Sequence, residues 1–191
     1  MTPPASVAGD DTLRLFLALR LPLTVVEELV RWGDGALVAG RRVPPEHLHI
    51  TLAFLGARPQ SELPEILSRL EGAAAAALPI ELEPARYRET RSVGMVVLDD
   101  LDGHAARLAA DLHGRLERLG VYRPESRRWL PHVTVLRFKE RPRLSPPQPL
   151  IERFAPSDAA AFLSRLHPSG ARYEVLEAVP LRRHHPTVGT T

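Results

Sequence analysis

Two short segments of the chain, His49-Ile50-Thr51-Leu52 and His132-Val133-Thr134-Val135, share one pattern: histidine, apolar, threonine, apolar. In a strand, residues i and i+2 point to the same face. Each segment therefore presents an imidazole and a hydroxyl on one face and two apolar side chains to a core on the other. The pattern closes the same order of predicted elements each time. Strand, helix, loop and strand run over residues 12–56 and again over 93–138, with the two histidines 83 residues apart (132 − 49). A duplicated unit sets equivalent residues around a pseudo-two-fold axis, a natural way to turn two histidines toward each other. Chance supplies about 0.4 bare H-x-T matches from 8 His and 9 Thr in 191 residues, and about 0.07 once both apolar positions are required. Two full matches therefore point to one shared site. The bland alternative is a pair of half-buried polar residues on unrelated strands.

At 191 residues the chain has room for one well-cored domain, or two small lobes on a common core. Its 44% hydrophobic and 25% charged residues are ordinary for a globular protein, and no apolar run approaches the length of a membrane helix. Residues 1–11 show no basic stretch followed by an apolar one, so no secretory signal is expected, and a cytoplasmic location follows by default. The absence of cysteine excludes disulfides, thiolate metal sites and cysteine nucleophiles. Of the 25 basic residues only Lys139 is a lysine. Arginine is the better bidentate partner for phosphate, although GC-rich coding explains most of this bias.

Alternation of Leu13, Leu15, Leu17 and Leu19 predicts a buried strand over 12–19, and Pro22 opens a helix to about Trp32. A second strand is predicted from Leu48 to Leu55, ended by Gly56. A helix follows from Ser61 to Glu71, extended by the alanine run and stopped at Pro79. Strands are expected over 80–87 and 93–98. Leucines and alanines stepping by three and four from Leu101 to Leu119 predict the longest helix, ended by Gly120. Pro131 introduces the strand 132–138. The proline-rich stretch 141–156 reads as irregular, and 160–166 and 172–179 as two strands joined by a turn at 167–170. Residues 1–11 are expected to be a disordered segment, 12–182 one domain, and 183–191 a flexible tail.

Two imidazoles and two hydroxyls around one cleft are what in-line displacement at phosphorus requires. One histidine takes a proton from the attacking oxygen and the other gives one to the leaving oxygen. The threonine hydroxyls donate to the non-bridging oxygens. The expected site is therefore His49, Thr51, His132 and Thr134, with no metal and no cofactor.

These residues carry a resemblance. Arg14-Leu-Phe-Leu-Ala-Leu19, Pro44-Pro-Glu-His-Leu-His-Ile-Thr-Leu-Ala-Phe-Leu-Gly56, Pro131-His-Val-Thr-Val-Leu-Arg137 and Gly170-Ala-Arg-Tyr-Glu-Val-Leu176 resemble, in order, the two-histidine (2H) phosphoesterase superfamily. The likeness is nearer to its bacterial and archaeal RNA 2′,3′-cyclic phosphodiesterases, historically called 2′-5′ RNA ligases. It implies an α+β fold, bilobal and pseudo-two-fold, with two antiparallel sheets lining a central cleft and helices outside. It implies hydrolysis of an RNA terminal 2′,3′-cyclic phosphate to a 2′-phosphate, with weak reverse ligation. His49 would protonate the departing O3′, His132 would activate water, and Thr51 and Thr134 would bind phosphate oxygens. Arg137 matches a phosphate-contacting arginine, yet it stands five residues after His132 and so breaks strict alternation; a bend in the strand or its long side chain would have to bring it in. Trp129 departs from relatives that carry a polar or smaller residue. It and Phe16 are each either a platform for a base or a packing residue, with packing the weightier reading.

The remaining histidines and acids have plain readings. His47 reads as a rim residue rather than half of a metal pair with His49. His113 reads as solvent-facing, His184 and His185 as part of a solvated tail, and Asp102 as a helix N-cap within the cluster Asp99, Asp100 and Asp102. The expected partner is an RNA with a cyclic phosphate end, or small cyclic nucleotides, met by a monomer without a membrane. Two other readings keep the fold: a phosphodiesterase for small cyclic nucleotides or 2′-5′ linkages, and a non-catalytic RNA-binding module. Loss of turnover on replacing either histidine separates an enzyme from a binder, which has no need of two titrating imidazoles.

Overall fold

The computed structural model describes residues 11–125, 127–167 and 170–182. Residues 168–169 of the turn predicted at 167–170, the first ten residues and the tail from 183, with His184 and His185, lie outside them. In chain order the elements are β1 (Thr12–Arg20), α1 (Leu23–Ala36), β2 (Arg41–Arg42), β3 (His49–Pro59), α2 (Leu63–Ala76), β4 (Leu82–Glu89), β5 (Val93–Asp100), α3 (His104–Arg118), β6 (His132–Arg137), β7 (Asp158–His167) and β8 (Gly170–Pro180). Single 3-10 turns at Pro45–His47 and Gln60–Glu62 lead into β3 and α2. Among the described residues no helix is long and apolar enough to cross a membrane.

The strands pair antiparallel in the order β4-β5-β6-β3-β1-β7-β8, with β2 on β6. The path has two halves. β3, β1, β7 and β8 pair over long registers, as do β4, β5 and β6, but the halves meet through a single pair, Ile50 with Val133. β1 hairpins around α1 to β3, and β5 around α3 to β6, so the doubled order seen in the sequence is doubled in space. All three helices pack on one side. Their buried residues, Leu29, Leu70 and Leu112 among them, join Leu15, Leu17, Leu19, Ile50, Val96 and Val133 in one hydrophobic cluster that spans both halves. The other side of the sheet is left for the histidines.

β1 is apolar on both faces, as expected of a buried strand. Leu15, Leu17 and Leu19 face the helices, while Phe16 and Ala18 face a separate small cluster with Ala160 and Phe162. A strand paired on both edges and covered on both faces has no polar side to show.

Several boundaries differ from those expected: α1 runs on to Ala36, and β4 spans Leu82–Glu89 rather than 80–87. Gly56 does not end β3; at φ 70° it lies past a bulge, and the strand runs on to Pro59 against Thr12. Leu101 is not helical but sits in the turn before α3, 38% exposed. The N-terminus of α3 is held by Asp100, not Asp102: the Asp100 carboxylate accepts from the N–H groups of Ala105 and Ala106 at 3.2 and 2.8 Å. The helix begins only at His104, after Gly103 turns the chain at φ 69°, so the carboxylate in reach is the one at the end of β5.

The proline-rich segment is irregular but anchored. Glu89, almost fully buried, accepts from the N–H groups of Arg143 and Leu144 at 3.0 and 2.9 Å, from Arg141 at 3.1 Å and from the Tyr87 hydroxyl at 3.2 Å. Arg143 adopts a left-handed φ of 57°, which turns successive N–H groups onto the carboxylate. Trp32 donates to the Pro147 carbonyl, Gln148 to that of Pro84, and Phe154 pairs with Leu82. The segment thus covers the edge of β4. Burial pushes the Glu89 pKa up, but the bonds from Leu144, Arg141, Arg143 and Tyr87 outweigh it and hold it below the usual range. Glu89 therefore stabilises the fold at neutral pH, and that contribution is lost as pH falls through its depressed pKa. Glu89→Ala is expected to cost about 1–3 kcal/mol in denaturant unfolding at pH 7, the loss expected when buried donors are left unpaired, with a smaller gap from wild type at acid pH.

Candidate active site

The pair Ile50–Val133 sets the geometry of the cleft. In an antiparallel ladder its neighbours follow, so His49 stands across from Thr134 and Thr51 across from His132. Directly opposed side chains share a face, and Ile50 and Val133 are buried toward the helices. All four polar side chains therefore emerge together on the open side. Each histidine faces the other unit's threonine, as a two-fold axis through the pair demands.

The two imidazoles are held in the same way. His49 Nδ1 lies 2.7 Å from the carbonyl of His47, and His132 Nδ1 lies 2.8 Å from that of Leu130. A carbonyl only accepts, so each Nδ1 carries the proton and each Nε2 is left for the cleft. In both cases the acceptor is two residues back and a proline is close by: His47 follows Pro44-Pro45, and Leu130 immediately precedes Pro131.

Each strand is bulged just after its threonine. In β3 the pairing with β1 skips Leu52, and again Leu55; in β6 the pairing with β5 skips Val135. A bulge adds a residue and shifts the alternation. Leu52 and Ala53 are both buried, as are Val135 and Leu136. The residue five after each histidine thereby returns to the cleft face: Phe54 in β3 and Arg137 in β6. This is the bend that Arg137 needed. Its charge, with that of His47 and His132, reaches His49. Phe54 is the functional candidate that the sequence reading missed. It is 64% exposed and its ring centroid lies 5.8 Å from that of Phe16. The available signal was the matching break in both tetrads, where a second buried apolar residue follows the first.

The carbonyls that the bulges free from the ladder are met by other groups. His113 Nε2 lies 2.7 Å from the Leu52 carbonyl, Trp129 Nε1 donates to the Thr51 carbonyl at 2.9 Å, and the Val43 N–H donates to the Val135 carbonyl at 2.9 Å. His113, expected to face solvent, instead stacks on Tyr122 with ring centroids 4.7 Å apart and braces β3 from α3. Trp129 packs against the main core and ties the approach to β6 onto β3. The sequence alone does not show either bond, because both partners are distant along the chain.

Phe16 does not offer a platform. It is 2% exposed, stacked on Phe162 at 4.8 Å and 3°, and set against His49 and Tyr173 at 4.9 Å each. It is a packing residue under the His49 ring. His47 stands on the rim, its ring 4.4 Å from that of Tyr173.

Burial pushes the His49 imidazole down to about 4; its bond to the His47 carbonyl opposes this, and the charges of His47, His132 and Arg137 add to it. His47 is lowered as well, by burial, against the pull of Glu46 and with Arg137 and Arg41 adding to the lowering. The cleft is thus short of negative charge. An anion placed there would favour the protonated form of His49.

The fold and the paired H-x-T strands bring two histidines and two threonines together, and comparison with known proteins gives the family. The model of the 2′-5′ RNA ligase superfamily matches residues 21–167. A Thermus thermophilus protein named RNA 2′,3′-cyclic phosphodiesterase is 31% identical over 183 residues, covering 91% of this chain and 92% of that protein. An Escherichia coli protein of the same name is 29% identical over 172 residues, covering 88% and 96%. A crystal structure of a Thermus thermophilus protein superposes with a TM-score of 0.77 at 31% identity, covering 91% of this chain and all of that one. The chain belongs to the 2′-5′ RNA ligase superfamily, within the two-histidine phosphoesterases.

Histidine NMR is expected to place the His49 midpoint near pH 4 in the free protein and to move it upward on adding inorganic phosphate. A midpoint at the ordinary value of about 6.5, unmoved by phosphate, contradicts this account of the cleft.

Proposed function

We propose that the protein hydrolyses an RNA terminal 2′,3′-cyclic phosphate to a 2′-phosphate by two-histidine acid–base catalysis, without a metal. The observation that carries the reading is the pair of Nδ1–H groups fixed on backbone carbonyls, which leaves two Nε2 atoms facing one cleft. The names of the relatives support the same substrate.

In this mechanism His132 Nε2 takes a proton from water as the oxygen attacks phosphorus. The bond from phosphorus to O3′ breaks on the opposite side, and His49 Nε2–H gives its proton to O3′. The phosphate stays on O2′. Thr51 and Thr134 donate to the non-bridging oxygens, and Arg137 offers a fork to the same group as charge builds. Phe54 stacks on the base of the terminal nucleotide. A 5′-hydroxyl in place of water would make a 2′-5′ bond, a slow reaction because water is far more abundant.

The test is a short RNA with a 2′,3′-cyclic phosphate end, incubated in EDTA. Wild type is expected to yield the 2′-phosphate, and His49→Ala or His132→Ala to lower kcat by about 100-fold or more. Activity lost in EDTA and restored by a divalent cation would sink the mechanism. Phe54→Ala is expected to raise KM about tenfold, as loss of one stacked base implies, with the fold intact. Phe16→Ala, by contrast, should first lower the melting temperature.

A further inference from the structure

Followed away from the cleft, both catalytic rows end in arginine. Across the sheet Thr134 pairs with Met95 and Met95 with Arg88; His132 pairs with Val97 and Val97 with Arg86. Paired residues share a face, so Arg86 and Arg88 stand on the same side as the catalytic groups. They are exposed, on edge strand β4, two strand spacings or roughly 9–10 Å from β6.

Neither arginine has a carboxylate partner among the described residues, although many arginines of this chain do. The rows differ in the other direction. There His49 neighbours Arg20, whose guanidinium is neutralised by two bonds to Asp158 at 2.7 and 2.5 Å. Thr51 neighbours Ala18, and Ala18 neighbours Ala160. Free positive charge along the catalytic rows therefore lies on the β4 side. Past the β4 bulge carboxylates return among the described residues, where Glu83 pairs with Asp99 and also faces Arg153 at 3.9 Å. Two unpaired guanidinium forks on a rigid strand, one nucleotide's reach from a phosphate-processing cleft, are suited to backbone phosphates.

We propose that Arg86 and Arg88 form a second phosphate-binding stretch that holds single-stranded RNA immediately 5′ of the nucleotide in the cleft. They make the protein favour an RNA end over a free cyclic mononucleotide. The inference rests on the hydrolase reading above and adds the substrate's length to it.

The experiment compares wild type with the double variant Arg86→Gln/Arg88→Gln on two substrates, a 2′,3′-cyclic mononucleotide and a hexanucleotide RNA with a 2′,3′-cyclic phosphate end. Binding of the corresponding 2′-phosphate hexanucleotide is measured by fluorescence anisotropy across a salt series. The variant is expected to turn over the mononucleotide as wild type does. Its kcat/KM on the hexanucleotide should fall about tenfold, and the slope of log K against log salt should flatten by about 1.4, the release expected for two single-strand phosphates. An unchanged hexanucleotide rate and salt slope, or equal losses on both substrates, overturns the proposal. If wild type turns over neither substrate, the hydrolase reading has failed. The binding series then decides the RNA stretch on its own: a flattened slope in the variant supports it, and an identical slope overturns it.

Discussion

The two halves of the sheet meet as strands at one residue pair, Ile50 with Val133. That pair is buried from the helix side by the common core, and its register decides which residues face each other in the cleft. A slip of one residue would send every side chain of one strand to the opposite face. His132 would then lie in the hydrophobic cluster and Val133 in the cleft. The cost of burying an unpaired imidazole, and of exposing valine, holds the register where the tetrads match. The short contact has a further effect. Each half is held by long registers and the join is one pair wide, so the setting of the halves rests on that pair and on the core they share.

The bulges are the second device. A regular strand sends every other residue to the cleft, which would give each unit a histidine, a threonine and a core-sized apolar residue. The inserted Leu52 and Val135 replace that third position with Phe54 and Arg137. One unit thereby ends on an aromatic ring and the other on a guanidinium, so a pseudo-symmetric scaffold carries a site with two different ends. A bulge leaves backbone groups without ladder partners. Here His113, Trp129 and the Val43 N–H occupy those carbonyls, and β3 and β6 are braced by α3, by the approach to β6 and by the residue that follows β2.

Charge is arranged with the same economy. The cleft holds imidazoles and arginines but few carboxylates close to the histidines, and the aromatic cluster of Phe16, Phe162 and Tyr173 removes water from around His49. Desolvation and like charge both disfavour the imidazolium. A negative charge placed beside the ring would oppose both effects. Arg20, by contrast, is tied to Asp158 and adds little free charge.

Much of this was legible in the sequence. The strands that carry His49, Thr51, His132 and Thr134, the face each pair shares and the doubled order of elements follow from period and repetition, because the side-chain period of a strand is a local property. The helices and the irregular proline-rich stretch follow for the same reason, with ends misplaced by a few residues at Leu101 and Gly56. What tertiary structure decided was everything that depends on pairing between distant segments. The join at Ile50 and Val133, the bulges that return Phe54 and Arg137 to the cleft, the burial of Phe16, and the bonds of His113 and Trp129 to β3 all involve partners set by register and packing. A bulge is defined only against the neighbouring strand, and a ring is a platform or a filler only according to what covers it.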